Sequence, residues 1–302
     1  TAAWLIPLLG IRNTLLVGAL VDIVAAVLLL RSPVIGKSSR WAWGFATAGL
    51  VCLALLQQSP GFDQQRMSSS VYRYGTLLEE DIEVTYYQDG KTATVNVVET
   101  GWGDLAIYTN GKSDASIAPL SQLASGDEHT MLMLGHLGLA LHPQPEQVAV
   151  IGFGSGLSTH ALLAHPQLHQ VDTIEIEEAM IEGARLFGER VARAYDDPRS
   201  KVYVDDAKTF FSTRGKQYDL IVSEPSNPWV SGVSGLFSRE HYQQVKRHLL
   251  PGGLYLQWLP MYETNMSLVT SVLKAFAIEF DDYALYTGAN EDLLIIGSAQ
   301  GP

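Results

Sequence analysis

A single cysteine, Cys52, stands in 302 residues, so the chain can form no internal disulfide and no cysteine metal cluster. Basic residues are also scarce. The 20 Lys and Arg are outnumbered by 32 Asp and Glu, a formal net charge of −12. Sequence-independent nucleic-acid binding needs a basic footprint, and no Lys/Arg-rich run supplies one. Nucleic acid is therefore not an expected partner. The eight histidines show no metal-ligand spacing; His160 and His165 fall near one helix without a carboxylate pattern beside them. No metal is expected. An acidic surface would suit a cationic small substrate, and is also an ordinary state of globular proteins.

Long apolar runs are absent beyond the first sixty residues, and present within them. Thr14 to Leu30 is apolar except for Asp22, and Trp41 to Leu56 is apolar again, with Trp41 and Trp43 at one edge. Arg31, Pro33, Lys37 and Arg40 lie between the runs. Each run is a little short of the roughly 20 residues a spanning helix needs. Tryptophan at an edge and basic residues just outside are membrane-interface features. Two spanning helices are expected, with buried core helices as the alternative. A signal peptide fits poorly, since there are two runs and no small-residue cleavage site. The chain opens at Thr1 in an apolar context, Ala2 to Leu9, which reads as a piece of a longer membrane protein. Asp22 is then expected to face other helices or a cavity, because a lipid-facing carboxylate is costly. The basic loop favours a cytoplasmic placement for itself and hence an external large domain. A nucleoside cosubstrate favours a cytoplasmic domain, and that argument is preferred.

The stretch Val148 to Leu157 reads Val-Ala-Val-Ile-Gly-Phe-Gly-Ser-Gly-Leu. A β-branched run ends in Gly152, Gly154 and Gly156, and a helical pattern follows. Glycines there let backbone approach a ligand, and a helix start offers free N–H groups. Glu175 follows about twenty residues later at the end of a second strand-like run, where nucleotide folds place a ribose-binding carboxylate. Strands are expected at Val148–Gly152, Val171–Ile176, Val202–Val204, Leu220–Ser223 and Leu254–Trp258. Helices are expected at Glu128–Leu141, Ser158–Ala164, Ala179–Phe187, Ala207–Phe211, Arg239–Leu249 and Ser267–Phe280. A final hairpin pairs Tyr283–Thr287 with Leu293–Gly297. This alternation predicts an α/β fold with a doubly wound, parallel, Rossmann-like sheet, its ligands beyond the carboxyl ends of the strands. Gln57–Ser70 reads as a linker. Val71 to about Ala115 reads as strands, with turns at Asp89-Gly90 and Asn110-Gly111. The expected organisation is a transmembrane segment over 1–60, a small antiparallel β domain over 61–125 and a nucleoside-binding domain over 126–302.

Polar groups close each predicted strand: Gly152 to Gly156, then Glu175, then Asp205 and Asp206, then Glu224 through Trp229. A carboxylate at the second strand can accept from two ribose hydroxyls, and one at the third can accept from an adenine amine. Glu224, where the fourth strand leaves the sheet, sits where a reacting group would lie.

From about Ser69 to Thr287 these residues resemble the spermidine/spermine synthase (polyamine aminopropyltransferase) family, and the apolar segment before them is similar to its membrane-fused branch. His142-Pro143-Gln144-Pro145 precedes the first strand as in the family. Gly152-Phe153-Gly154-Ser155-Gly156-Leu157 is similar to its G-G-G-D-G-G loop, Glu175-Ile176-Glu177 to its E-I-D, and Asp205-Asp206-Ala207 to its G-D-G. Tyr218 to Pro228 matches Y-D-V-I-x-x-D-S-S-D-P, and Leu236-Phe237 with Tyr242 matches the L-F-x-x-x-Y that follows. The resemblance implies a class I S-adenosylmethionine-type fold and aminopropyl transfer from decarboxylated S-adenosylmethionine, or the intact cosubstrate, to a polyamine or other amine, with methylthioadenosine released. It implies that Glu175 holds the ribose, Asp206 the adenine, and Glu224 the attacking amine. Gly152, Gly154, Ser155, Gly156 and Asp205 complete the expected nucleoside site. Asn227 joins Glu224 as a catalytic candidate. Thr130, Met131, Trp229 and Tyr262 are expected to contact the acceptor.

The chain departs from the family at three polar devices for cations. The glycine-loop aspartate is Ser155, the second aspartate of D-S-S-D-P is Asn227, and a Tyr-Gln or Tyr-His pair is Thr130-Met131. Other readings stay open: a methyltransferase, intramolecular cleavage or cyclisation of S-adenosylmethionine, and a non-catalytic membrane module that binds the nucleoside. Expected partners are a small amine and a membrane, with a homodimer as an open alternative.

Overall fold

The computed structural model describes residues 2–30, 39–58, 60–230, 232–288 and 292–299. The loop residues Arg31, Pro33 and Lys37 lie outside them. Two apolar helices come first, α1 (Ala2–Leu30) and α2 (Ser39–Gln58). α1 carries Ala2–Leu9 and the later run on either side of a kink at Gly10. Where two spanning helices were expected, Trp4–Leu29 is the one stretch among the described residues long and apolar enough to cross a membrane, and Trp43–Gln58 in α2 is shorter. Gly10, at φ 75° and ψ 164°, breaks the helical geometry inside α1, a conformation that disfavours any residue with a Cβ. The amide this frees on Ile11 donates to Asp89 Oδ2 at 2.8 Å. Arg12 donates to the Leu56 and Gln57 carbonyls near the end of α2. Asp22 is exposed on the described chain rather than turned into it.

The expected linker holds α3 (Gln64–Met67), capped by Asp63, and Ser68, Ser69 and Ser70 are buried. Val71–Tyr74 forms α4 where a strand was expected. Four antiparallel strands follow in sheet order β1 (Glu83–Asp89), β2 (Thr94–Glu99), β3 (Leu105–Thr109) and β4 (Lys112–Ile117). Val95, Val97, Ile107, Ala115 and Ile117 share one apolar cluster with Met131, Phe153, Leu157 and Met180. The small sheet is thus packed against the helices that carry Met131, Leu157 and Met180, and shares a core with them.

The remainder alternates: α5 (Gly126–Leu141), β5 (Gln147–Ile151), α6 (Leu157–Leu162), β6 (Gln170–Glu175), α7 (Glu178–Gly183), α8 (Ala192–Asp196), β7 (Ser200–Val204), α9 (Ala207–Thr213), β8 (Tyr218–Ser223), α10 (Arg239–Arg247), β9 (Leu249–Pro260), α11 (Met266–Glu279), β10 (Tyr283–Thr287) and β11 (Asp292–Ser298). The expected helix Ala179–Phe187 breaks after Gly183 into a 3-10 segment, Ala184–Val191, with Gly188 left-handed. The seven-stranded sheet runs β10-β11-β9-β8-β5-β6-β7. β7, β6, β5, β8 and β9 are parallel, and β11 is antiparallel to both β9 and β10. One face buries Ile151, Ile221, Phe210, Tyr242 and Phe276 among others. The other buries Val148, Val150, Leu134, Leu162 and Val222. Alternate side chains of β5 thus enter opposite layers, as a strand covered on both faces requires.

Candidate active site

The parallel strands end together, and backbone bonds lock their ends. Gly152 N–H donates to Ile174 O, Glu224 N–H to Ile151 O and Asp205 N–H to Glu175 O, each at 2.9 Å. A side chain on Gly152 would run into the Glu224 carbonyl, and its φ is +93°; only glycine lets these two ends meet.

Beyond these ends lies a cavity of about 390 Å³, lined by Gly152, Gly154, Glu175, Asp205, Asp206 and Glu224 among others. The small sheet supplies its far wall through Thr92, Ala93, Asn110 and Asp114. Glu175 is buried, and it accepts the Phe153 and Glu177 amides at 2.9 Å each. Burial pushes its carboxyl up to about 7, against the pull of those amides. Each oxygen keeps acceptor capacity beyond its one amide. Asp206 caps α9 through Thr209 N–H at 2.9 Å, and Asp205 Oδ1 accepts the Asp206 amide at 2.9 Å. Glu177 reaches the other way: its Oε2 accepts Thr92 N–H at 2.6 Å and Thr92 Oγ1 at 2.8 Å. It pins the β1–β2 turn over the cavity.

Ser155 and Gly156 line neither cavity. Ser155 is fully buried, with its Oγ 3.1 Å from Met131 Sδ, and Gly156 opens α6 against the Phe153 ring. These two glycine-loop positions therefore shape the turn from behind.

A second cavity of about 360 Å³ adjoins the first, lined by Arg73, Asp114, Asp127, Thr130, Met131, Glu224, Trp258, Tyr262 and Asp292. Glu224, Asp114 and Trp258 border both cavities. Glu224 Oε2 accepts the Ser158 hydroxyl at 2.6 Å. Burial raises its carboxyl to about 7; Ser158 opposes that rise, and Asp292 and Asp127 add to it. Pro225 and Pro228 flank the loop that carries it and fix its backbone. Thr130 and Met131 sit on α5, whose start is fixed by a reciprocal cap between Ser125 and Glu128, a device of about 1 kcal/mol. Glu128 also pairs with Arg190.

Asn227 is fully buried, and neither amide atom has a hydrogen-bond partner among the described residues. It lines neither cavity, although the Tyr262 hydroxyl beside it feels its influence. Trp229 lines neither; it is 41% exposed and meets the Tyr262 ring edge-on at 6.4 Å between centroids. The sequence reading missed Asp127, Ser158, Trp258 and Asp292. One signal could have found Asp292. It opens β11, which runs against β9, so its first residue falls at the carboxyl edge opposite Pro260. Among the described residues no group of three or more His, Cys, Asp or Glu could hold a metal ion.

Residues 128–288 match the spermine/spermidine synthase domain model. A polyamine aminopropyltransferase of Caldicellulosiruptor saccharolyticus is 30% identical over 65% of this chain and 72% of its own length. A spermidine synthase of Dictyostelium discoideum is 32% identical over 40% of this chain and 43% of its own. For several such relatives the chain spans about half their length or less. The solved spermidine synthase of Thermotoga maritima superposes with a TM-score of 0.62 at 18% identity, covering 72% of this chain and 74% of that one, a likeness of fold. More than half of the chain falls within the domain model, and the matched stretch carries every parallel strand end just described; the chain belongs to the spermine/spermidine synthase family.

Proposed function

We propose that this chain transfers an aminopropyl group from decarboxylated S-adenosylmethionine to an amine and releases methylthioadenosine. The observation that carries the reading is the position of Glu224 on the wall common to two cavities. A nucleoside in the first, its ribose on Glu175 and its adenine near Asp206, would turn its sulfonium toward that wall. An amine in the second would meet it there. The attacking nitrogen must be neutral. Its lone pair forms the C–N bond, the C–S bond breaks, and the electron pair stays on sulfur as a thioether. The proton shed by nitrogen goes to Glu224, whose carboxyl at about 7 is matched to proton transfer near neutrality. Holding both reactants at one wall supplies the orientation.

The acidic second cavity favours an external acceptor over intramolecular cleavage. The names of the relatives, polyamine aminopropyltransferase and spermidine synthase, support the same chemistry. α1 and α2 support a membrane anchor, with residues 61–125 as a lid domain, 126–302 as the catalytic domain and the catalytic part facing the cytoplasmic pool of cosubstrate.

The purified full chain, incubated with decarboxylated or intact S-adenosylmethionine, with and without 1,4-diaminobutane, tests the reading. Amine-dependent methylthioadenosine is expected. Adenosylhomocysteine would mean methylation, methylthioadenosine without amine would mean cleavage, and neither product would mean a binder.

A further inference from the structure

The family's second aspartate is Asn227 here, and Asn227 borders neither cavity. The second cavity nevertheless collects carboxylates from four separate elements: Asp114 on β4, Asp127 on α5, Glu224 after β8 and Asp292 at the head of β11. Their burden is unequal. Asp114 is already paired with Lys112 Nζ at 2.8 Å, and Arg73, the basic residue of the lining, is paired with Glu263 at 2.6 Å. Asp292 has no such cation. It is 5% exposed, and its Oδ2 accepts the Thr130 hydroxyl at 2.5 Å. Its Oδ1 is buried without a hydrogen-bond partner among the described residues.

A buried carboxylate oxygen without a donor is costly unless a ligand supplies one. Burial raises the Asp292 carboxyl, and Asp127 adds to that; the Thr130 hydroxyl and the nearby Trp258 indole oppose it. An ammonium would satisfy Oδ1 and draw the group back toward its ionised form. Met131, Trp258 and Tyr262 supply apolar surface in the same lining, suited to a methylene chain running between two charged ends.

We propose that Asp292, with Asp127 beside it, anchors the distal ammonium of a linear diamine or longer polyamine, doing from β11 what Asn227 cannot do from the β8 loop. This rests on the second cavity being the acceptor site. The anchor sets acceptor specificity: the neutral reacting amine lies at Glu224, and the charged distal end is recognised at Asp292.

The test is calorimetric titration of the full chain in detergent, with methylthioadenosine bound, using 1,4-diaminobutane and n-butylamine as probes. The wild type is expected to bind the diamine at least tenfold tighter than the monoamine. Asp292→Asn should lose at least tenfold in diamine affinity while keeping its affinity for methylthioadenosine and n-butylamine. Asp127→Asn should shift the diamine in the same direction by less, and stands in if Asp292→Asn does not fold. Equal binding of the two amines by the wild type, binding of neither, or an unchanged diamine affinity in a folded Asp292→Asn chain overturns the anchor. Discrimination through Asp292 without methylthioadenosine production would keep the anchor and overturn aminopropyl transfer. Transfer to the diamine that ignores Asp292→Asn would do the reverse.

Discussion

Ser158 donates its hydroxyl to Glu224 Oε2 at 2.6 Å, from the first turn of α6 to the end of β8. The same hydroxyl lies 3.2 Å from the Met131 carbonyl, but it has one proton, and the shorter contact is to the carboxylate. That bond favours the ionised form of Glu224 against burial. Ser158→Ala should therefore raise the carboxyl further. The acidic limb of the pH–rate profile should move to higher pH, while the rate above that limb changes little. An unmoved limb would show that another group governs it.

Glu224→Gln removes the proton acceptor and keeps the side-chain shape. Turnover should fall by roughly 10²–10⁴, the usual scale for a positioned base, with methylthioadenosine affinity retained. Full turnover in this variant would turn attention to Asp205 and Tyr262.

Above pH 7, where its carboxyl is ionised, Glu175→Ala should weaken methylthioadenosine binding about tenfold or more, since a charge-assisted hydrogen bond contributes roughly 1.5–3 kcal/mol. Part of the loss would come from the Phe153 and Glu177 amides, which lose their acceptor. Titration calorimetry reads the affinity, and an unchanged value would place the nucleoside elsewhere.

Two of the raised carboxyls also give the stability of the ligand-free chain a pH dependence. Glu175 and Glu224 titrate near 7 when folded, against 4.5 ordinarily. Below pH 4.5 both states hold the protons. Between there and 7 the folded chain keeps protons that the unfolded chain has released, so stability falls as pH rises. The melting temperature should drop from pH 5 to pH 8, and Glu224→Gln should flatten part of that slope. A melting temperature that climbs across this window would contradict the protonated, buried form of both groups.

The helix pair gives a cellular prediction. The full chain should stay with membranes through an alkaline wash and leave them in detergent. Recovery in the aqueous supernatant would show that α1 and α2 do not anchor it.

The centre of the parallel sheet was legible because β5 and β8 are buried on both faces. Val148–Ile151 and Leu220–Val222 read as short continuous apolar runs, and β5, β6, β7 and β8 each give way to glycine or acid where the chain leaves the core. Lys112–Ile117, Lys-Ser-Asp-Ala-Ser-Ile, carries no such run; its place is set by pairing with β3. The break after Gly183 was hidden because apolar spacing continues through Phe187 while the backbone turns at Gly188. At the site, Glu175 and Glu224 were found because they end parallel strands. Asp292 was not, because it begins an antiparallel one, and its contact with Thr130 spans 162 positions. Ser155 stands at a binding position by resemblance, yet its hydroxyl lies 3.1 Å from Met131 Sδ and lines neither cavity.

Glu224, Asp114 and Trp258 belong to both cavities, and a shared wall makes their occupants thermodynamically linked. A cation arriving on one side changes the charge on Glu224 that the other side meets. By linkage, the factor by which a bound nucleoside alters amine affinity must equal the factor by which a bound amine alters nucleoside affinity. In the proposed reaction the donor's sulfonium becomes a neutral thioether, so sulfur loses one positive charge at this wall. Under the proposed reaction, exchange of donor for product would change the affinity for the amine across it, so the chemistry itself would change the terms on which the next acceptor binds.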